Sequence, residues 1–294
     1  MAKSVDLTTL SGWSSLSTGS HNITVVAKAD GYKDSEPSAA VSVEKAAPVY
    51  TDCITFTGET SDFTLKATYK EWNGTVEYST DHNTWTVWNG SEISSSNKKL
   101  YLRGSGNTTF CTNYGAQFVL SAKAGCSGNL NTLLEYSNPP TTLSARNCYT
   151  RMFYGCTNLT TAPALPATTL TAHCYHNMFN SCTSLTTAPE LPATTLADSC
   201  YLSMFWNCTN LTTAPELPAT TLATSCYSYM FRGCTAFKVS STKTGAYQYA
   251  WRIPKSGTAA TQPGWNDNML ANTGGTFTSN PSINTTYYVE NAPV

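Results

Sequence analysis

Side chains that could bind a metal or transfer protons are sparse in this 294-residue chain, and two groups of them stand out. His173, Cys174 and His176 lie within four residues of one another, as metal ligands often do. Glu190 and Glu216 are 26 residues apart, and a pair of carboxylates can serve as general acid and base. No zinc-protease motif, P-loop, dinucleotide fingerprint or nucleophile elbow accompanies them. We therefore expect no catalytic residue, no metal and no cofactor, and we interpret the chain as a non-enzyme.

Both groups belong to an internal repeat of 26 residues, in which Met-Phe pairs and eight of the eleven cysteines recur at the same step. The repeating cysteines form two columns, Cys148, Cys174, Cys200 and Cys226, and Cys156, Cys182, Cys208 and Cys234. A cysteine tied to a repeat is most simply a small buried hydrophobe. Disulfides or bound metal between units, and a pair between Cys53 and Cys111, stay open as alternatives.

The spacing inside one unit predicts a short strand followed by a helix. Leu185 to Ala188 is the strand, and Pro189 ends its pairing because proline has no N–H. Apolar residues then recur every four residues from Leu196 to Cys208, which predicts a helix of about three turns. A period of 26 residues is typical of leucine-rich repeats, whose units bury their apolar stripes against one another in a solenoid.

On that helix Cys174 would face the core and His176 would point away, so the two would not converge on one metal ion. Glu190 and Glu216 would occupy one solvent-facing column of the repeat. Both groups are therefore better explained by the repeat than by chemistry.

The unit Cys-Thr-Asn-Leu-Thr-Thr-Ala-Pro-Ala-Leu-Pro-Ala-Thr-Thr-Leu, at 156–170, and the units after it resemble BspA-like leucine-rich repeats. That family occurs on bacterial surface proteins and in proteins of gut bacteriophages. The resemblance covers about residues 126–240, and it implies binding and adhesion rather than catalysis.

Some repeat positions change freely between units, and they lie on the helix face opposite the apolar stripe. Stacked helices would align them into one exposed strip. We predict binding residues there, because exposed aromatic and arginine side chains are common binding anchors. The candidates are Arg151, Tyr154, His176, Asn180, Leu202, Trp206, Tyr229 and Arg232. The alternative is that these positions drift because nothing packs on them.

The flanking segments read as β-rich. Residues 1–46 predict two strands, at 22–29 and 39–43. Their sequence is similar to that of the last two strands of an immunoglobulin-like or fibronectin type III module. Such modules need about 100 residues, so we expect these strands to pair with another chain or to pack on the next domain. Residues 47–125 predict six strands, at 53–57, 63–69, 75–79, 84–88, 99–103 and 117–121.

Aromatic side chains mark the expected cores of these flanking segments. Trp72, Trp85, Trp88 and Tyr101 would fill the core of a small β-sandwich or form a platform for sugars. Trp251 and Trp265 would cover the last repeat unit.

Together these patterns predict an α+β, multi-domain protein. Its parts would be an immunoglobulin-like attachment segment (1–46), a β-rich domain (47–125), a BspA-like leucine-rich-repeat solenoid (126–243) and a C-terminal cap (244–294).

Composition narrows the function further. Charged residues are 12% of the chain and the formal net charge is −1, which does not suit a nucleic-acid partner. No apolar run approaches the roughly 18 residues of a membrane-spanning helix, and no secretory signal is visible at the start. Together with the resemblance to repeats of bacteriophage proteins, the missing signal implies a bacteriophage virion protein at the particle surface: a capsid decoration, head fibre or tail component.

Its expected partners are other virion proteins, reached through the N-terminal region, and a glycan or protein of the host surface. A homo-oligomer such as a trimer would complete the N-terminal strands. The alternative is an adhesin of the bacterial cell surface. A polysaccharide-acting enzyme, the third class considered, would need carboxylates clustered in a cleft.

Overall fold

The computed structural model describes residues 19–23, 41–45, 53–112 and 117–294. The chain divides into two compact units, Met1–Tyr50 and Thr51–Val294. In the first unit, β1 (Gly19–Ile23) pairs antiparallel with β2 (Val41–Lys45). Two strands are thus confirmed there, with shifted bounds, whereas residues 24–29 and 39–40 of the predicted strands lie outside the described residues.

The second unit begins with two antiparallel sheets, which we call the sheet region (residues 53–127). Its strands are β3 (Ile54–Gly58), β4 (Thr64–Ala67), β5 (Thr75–Ser79), β6 (Thr86–Val87), β7 (Ile93–Ser94), β8 (Lys99–Ser105), β9 (Phe118–Leu120) and β10 (Ala124–Ser127). The five-stranded sheet has the order β10-β3-β8-β5-β6 and the three-stranded sheet the order β7-β4-β9. Six of these strands confirm the six predicted for 47–125.

Alternation explains why these segments form sheets with one buried face. Along β8 the residues are in turn partly exposed and buried, so Leu100 and Leu102 enter the core while Tyr101 and Arg103 lie on the outer face. Trp72 and Trp88 stack in this core with ring centroids 5.3 Å apart. Burying each large apolar side chain contributes about 1.5–3 kcal/mol.

The repeat region (residues 145–235) contains no α-helix, although the four-residue spacing predicted one in each unit. Its Cys-Tyr-x-x-Met-Phe segments are runs of consecutive turns. Strand makes up 25% of the structure and helix 2%, with several antiparallel sheets and no closed solenoid. The predicted α+β class with a leucine-rich-repeat solenoid is therefore wrong, and the protein is nearly all β.

Backbone geometry explains why the helix does not form. Tyr149, Arg151 and Tyr175 have positive φ angles of 64°, 58° and 62°, and a right-handed helix cannot continue through such residues. Alternate N–H groups close local turns, as Tyr154 N donates to Arg151 O at 3.0 Å. The N–H groups between them leave the unit, as Phe153 N donates to Met178 O at 2.9 Å. These bonds between units offset the roughly 1 kcal/mol that each left-handed residue costs.

The turns stack in register along the repeat, which places identical side chains above one another. Four tyrosines form one row with ring centroids 5.8, 6.0 and 6.0 Å apart, namely Tyr149, Tyr175, Tyr201 and Tyr227. Four phenylalanines form a second row with centroids 5.5, 5.6 and 5.6 Å apart, namely Phe153, Phe179, Phe205 and Phe231. The repeat is thus a real structural period, although its units are built from turns.

Each end of the stack is covered by the neighbouring part of the second unit. At the first end Tyr149 N donates to Phe110 O at 2.7 Å, and Phe118 packs on Phe153 with centroids 5.8 Å apart. At the last end Tyr227 N donates to Trp265 O at 2.7 Å. Trp251 packs on Phe231 with centroids 5.9 Å apart, so both tryptophans cover the last unit as predicted. One hydrophobic core therefore continues across the boundaries predicted at 125/126 and 243/244.

The residues after the repeat form a four-stranded sheet with the order β12-β14-β11-β13. Its strands are β11 (Lys238–Ser240), β12 (Tyr249–Ile253), β13 (Gly274–Gly275) and β14 (Thr285–Val289).

Candidate functional site

The eight predicted binding residues are not equally accessible. Six are partly exposed: Arg151, Tyr154, Leu202, Trp206, Tyr229 and Arg232. His176 and Asn180 are buried, with 8% and 6% of their surface exposed. The prediction of one exposed strip is therefore wrong at these two positions.

Local packing explains the two buried residues. The His176 ring lies 5.6 Å from the His173 ring, and burial, followed by the nearby His173 and Arg151, lowers the pKa of His176 to about 4. The Asn180 amide donates to Asn177 Oδ1 at 2.8 Å and its carbonyl accepts from Ser181 Oγ at 2.8 Å. The Asn180 side chain is thus bonded to two neighbours in its own unit.

Three of the exposed candidates meet in one cluster across two neighbouring units, which we call the Trp206 cluster: Trp206, Tyr229 and Arg232. The Trp206 and Tyr229 rings stack with centroids 5.8 Å apart and planes inclined by 24°. The Arg232 guanidinium lies 5.1 Å from the Trp206 ring and 5.5 Å from the Tyr229 ring. Because Trp206 and Arg232 occupy the same repeat position, the stacking of units brings them together.

The backbone beneath the Trp206 cluster is held by hydrogen bonds to the next unit and to the C-terminal segment. Asn207 N donates to Arg232 O at 2.8 Å, and Tyr229 N donates to Asp267 O at 2.8 Å. The three side chains therefore project from a fixed frame.

The remaining candidates lie elsewhere on the stack. The Arg151 guanidinium lies 4.0 Å from the Tyr154 ring, in the first of the four units. Leu202 is partly exposed, and its carbonyl accepts from Asn177 N at 2.9 Å. The structure thus divides the exposed candidates into the Trp206 cluster, the pair of Arg151 and Tyr154, and Leu202 alone.

The cysteines of the repeat are core residues. Both columns are buried, and burial raises the pKa of their thiols, for example of Cys226 to about 11. Cys182 donates to Phe153 O at 3.0 Å and Cys208 to Phe179 O at 3.0 Å, so the contact repeats with the units. Cys53 and Cys111 are thiols rather than a disulfide. Across the described ranges, no three His, Cys, Asp or Glu side chains are grouped to hold a metal ion.

The two carboxylates of the repeat face a surface cavity of about 180 Å³ beside Pro192 and Pro218. Glu190 is exposed, as predicted, whereas Glu216 is partly exposed and forms an ion pair with Lys255. Their unlike surroundings come from the C-terminal segment, which supplies Lys255 to one unit.

The four aromatic residues of the predicted platform divide between core and surface. Trp72 and Trp88 are buried, with 7% and 1% of their surface exposed, whereas Trp85 and Tyr101 are partly exposed. The sequence analysis did not find the companions of Trp85. These are Arg103, whose guanidinium lies 4.1 Å from the Trp85 ring, and Tyr136. The alternation of β8 could have placed Arg103 on the outer face, but nothing local indicates Tyr136.

Among the described residues, none forms a helix with the length and apolar character needed to cross a membrane. No family model, curated protein or solved structure matches this chain.

Proposed function

We propose that this chain is a non-enzymatic structural protein of a bacteriophage virion that displays the Trp206 cluster to a glycan or protein of the host surface. The observation that carries the proposal is the cluster itself. Two stacked aromatic rings and a guanidinium stand partly exposed on a backbone fixed by bonds between units.

The composition of the Trp206 cluster suits a binding anchor. Tryptophan, tyrosine and arginine are the residues that most often dominate binding energy, because they bury large areas and retain polar groups. Stacking already restricts the rings and Arg232, so little conformational entropy remains to be lost on binding. A surface ligand would therefore meet a prepared patch.

The frame behind the cluster suits display. Rows of identical rings join the units, and the sheet region and C-terminal segment cover the two ends of the stack. Such packing favours presentation of a side-chain pattern in one fixed orientation.

The virion setting rests on the resemblance of the repeat sequence to units found in bacteriophage proteins. A capsid decoration, a head fibre and a tail component each fit it. In the first unit, the described residues form a two-stranded sheet, and isolated pairs of this kind are marginally stable. Strands from other copies or from other virion proteins would stabilise it, which favours a homo-oligomer attached through this unit.

Binding of labelled protein to a panel of intact bacteria, measured by flow cytometry, tests the display function. For a strain that binds the wild type, Trp206→Ala should weaken binding at least about tenfold, because hot-spot residues contribute 2 kcal/mol or more. Tyr249→Ala is the matched control, since Tyr249 is 47% exposed and lies on β12. Equal binding by Trp206→Ala and wild type would refute the proposed site. Immunogold labelling of phage particles tests the setting separately.

A further inference from the structure

The outer face of the five-stranded sheet carries a second group of aromatic and charged side chains, far in sequence from the Trp206 cluster. We call it the Arg103 platform: Glu77, Trp85, Arg103 and Tyr136. Glu77 on β5 lies directly opposite Arg103 on β8 in the antiparallel register. All four side chains are partly exposed.

The Arg103 guanidinium is held on three sides. Its Nε donates to Glu77 Oε2 at 2.7 Å. Its Cζ lies 4.1 Å from the Trp85 ring centroid and 4.5 Å from that of Tyr136. The bond to Glu77 uses the Nε–H, and the terminal nitrogens carry the other donors of the guanidinium. The Arg103 side chain is 23% exposed.

The segments that carry the two rings are also fixed. Tyr136 N donates to Gly104 O at 2.9 Å, which ties the Tyr136 ring to β8. Before Trp85, the Asp81 carboxylate accepts from Thr84 N at 2.7 Å and from Asn83 N at 2.9 Å. These hydrogen bonds hold the pKa of Asp81 well below its usual value. The loop therefore keeps Trp85 beside Arg103 without help from a ligand.

Two more rings extend the aromatic surface. The His82 ring lies 5.8 Å from Trp85 and 4.7 Å from Tyr101. Half-exposed rings next to a carboxylate and a guanidinium place apolar faces and both hydrogen-bonding polarities within one patch.

We propose that the Arg103 platform binds a neutral saccharide. Neighbouring hydroxyl groups of a sugar ring can donate to the Glu77 carboxylate and accept from the terminal nitrogens of Arg103. The C–H face of the sugar packs on the exposed parts of the Trp85 and Tyr101 rings. The Glu77 carboxylate compensates the charge of Arg103, which favours an uncharged ligand over an acidic one. This site does not depend on the Trp206 cluster.

Titration of the 294-residue chain with hexasaccharides of glucose, mannose and galactose, and with hexagalacturonate as the acidic comparison, tests the inference. Tryptophan fluorescence and isothermal calorimetry report the binding. At least one neutral hexasaccharide should bind. Arg103→Lys should weaken it about tenfold, because lysine keeps the charge but loses the planar donors. Glu77→Gln should also weaken it, since the amide replaces one acceptor oxygen.

Arg252→Lys is the matched control, because Arg252 is partly exposed on β12 and belongs to neither the platform nor the Trp206 cluster. A loss with Arg103→Lys and none with Arg252→Lys assigns the saccharide to the platform, whatever becomes of the proposed function. Melting curves must show that each variant is folded, and Glu77→Gln, which keeps the shape of the side chain, replaces Arg103→Lys should that variant unfold. The inference is overturned if no neutral hexasaccharide binds at about 10 mM, if only hexagalacturonate binds, or if the folded platform variants bind like wild type.

Discussion

The sheet region and the repeat region pack their aromatic side chains differently. In the sheet region the ring angle changes from pair to pair, since Trp88 and Phe118 meet at 80° whereas Trp72 and Phe110 lie at 13°. In the repeat region identical rings lie nearly parallel, as Phe179 and Phe205 do at 6°. Each ring pair in the sheet core thus has its own packing geometry, whereas one packing geometry recurs from unit to unit in the repeat. Each ring in the middle of a row packs on the ring before it and on the ring after it. A single substitution there therefore disrupts two nearly identical ring contacts at once.

Removing a ring from the middle of the phenylalanine row should have the largest effect on stability, because two contacts of the repeat are lost together. Phe179 is fully buried and packs on Phe153 at 5.5 Å and on Phe205 at 5.6 Å. Phe179→Ala should lower the free energy of unfolding by about 3–5 kcal/mol, measured by urea denaturation. Val87→Ala, at a site 67% exposed, should leave it nearly unchanged. A loss below about 1 kcal/mol for Phe179→Ala would show that the row relaxes to fill the gap.

The same contrast explains how far the sequence could predict the fold. Alternation at Tyr101 and Leu102 is a local signal, and a strand is its only common source, so β8 and its neighbours were predicted correctly. A spacing of four residues is shared by a helix and by a run of short turns. The choice between them depends on hydrogen bonds such as Phe153 N to Met178 O, which join different units. No local pattern contains that information.

The candidate sites show the same limit. Variation between units identified Trp206, Tyr229 and Arg232, because repeats make equivalent positions comparable. It did not show that His176 and Asn180 are buried, since a difference between units does not by itself report the exposure of a side chain. The Arg103 platform joins residues from β5, β8 and two loops, and only the fold brings them together.

Acid should destabilise the repeat region through His176, one of the two residues of the predicted strip that are buried. Its pKa is about 4 in the folded protein and lies near 6.5 in an unfolded chain, so the unfolded state binds more protons between these values. The contribution of neutral His176 to the free energy of unfolding is therefore fully present above pH 6.5 and is lost as the pH falls through 4. The loss from this residue should reach about 2–3 kcal/mol at pH 4.5 relative to pH 7.5.

Urea denaturation of wild type and His176→Gln at the two pH values isolates this effect from the carboxylates, which titrate in both proteins. The variant should lose less stability on acidification by that amount. Equal acid losses in the two proteins would show that His176 becomes protonated in place, within the folded repeat.

The smallest expected effect concerns equivalent hydrogen bonds in successive units. Their geometry is nearly identical, and substitution tests whether their contributions to the free energy of unfolding are also equal. Cys182, Cys208 and Cys234 each donate to the carbonyl of a phenylalanine in the preceding unit, at 3.0, 3.0 and 2.9 Å. Alanine at any one of them removes one buried hydrogen bond and one sulfur atom. Each variant should therefore lose about 1 kcal/mol of stability, and the three losses should be equal within error. Cys111→Ala in the sheet region has no such copies, so its loss need not match theirs. Unequal losses among the three repeat variants would mean that the covered ends of the stack, and not the unit itself, determine the strength of each contact.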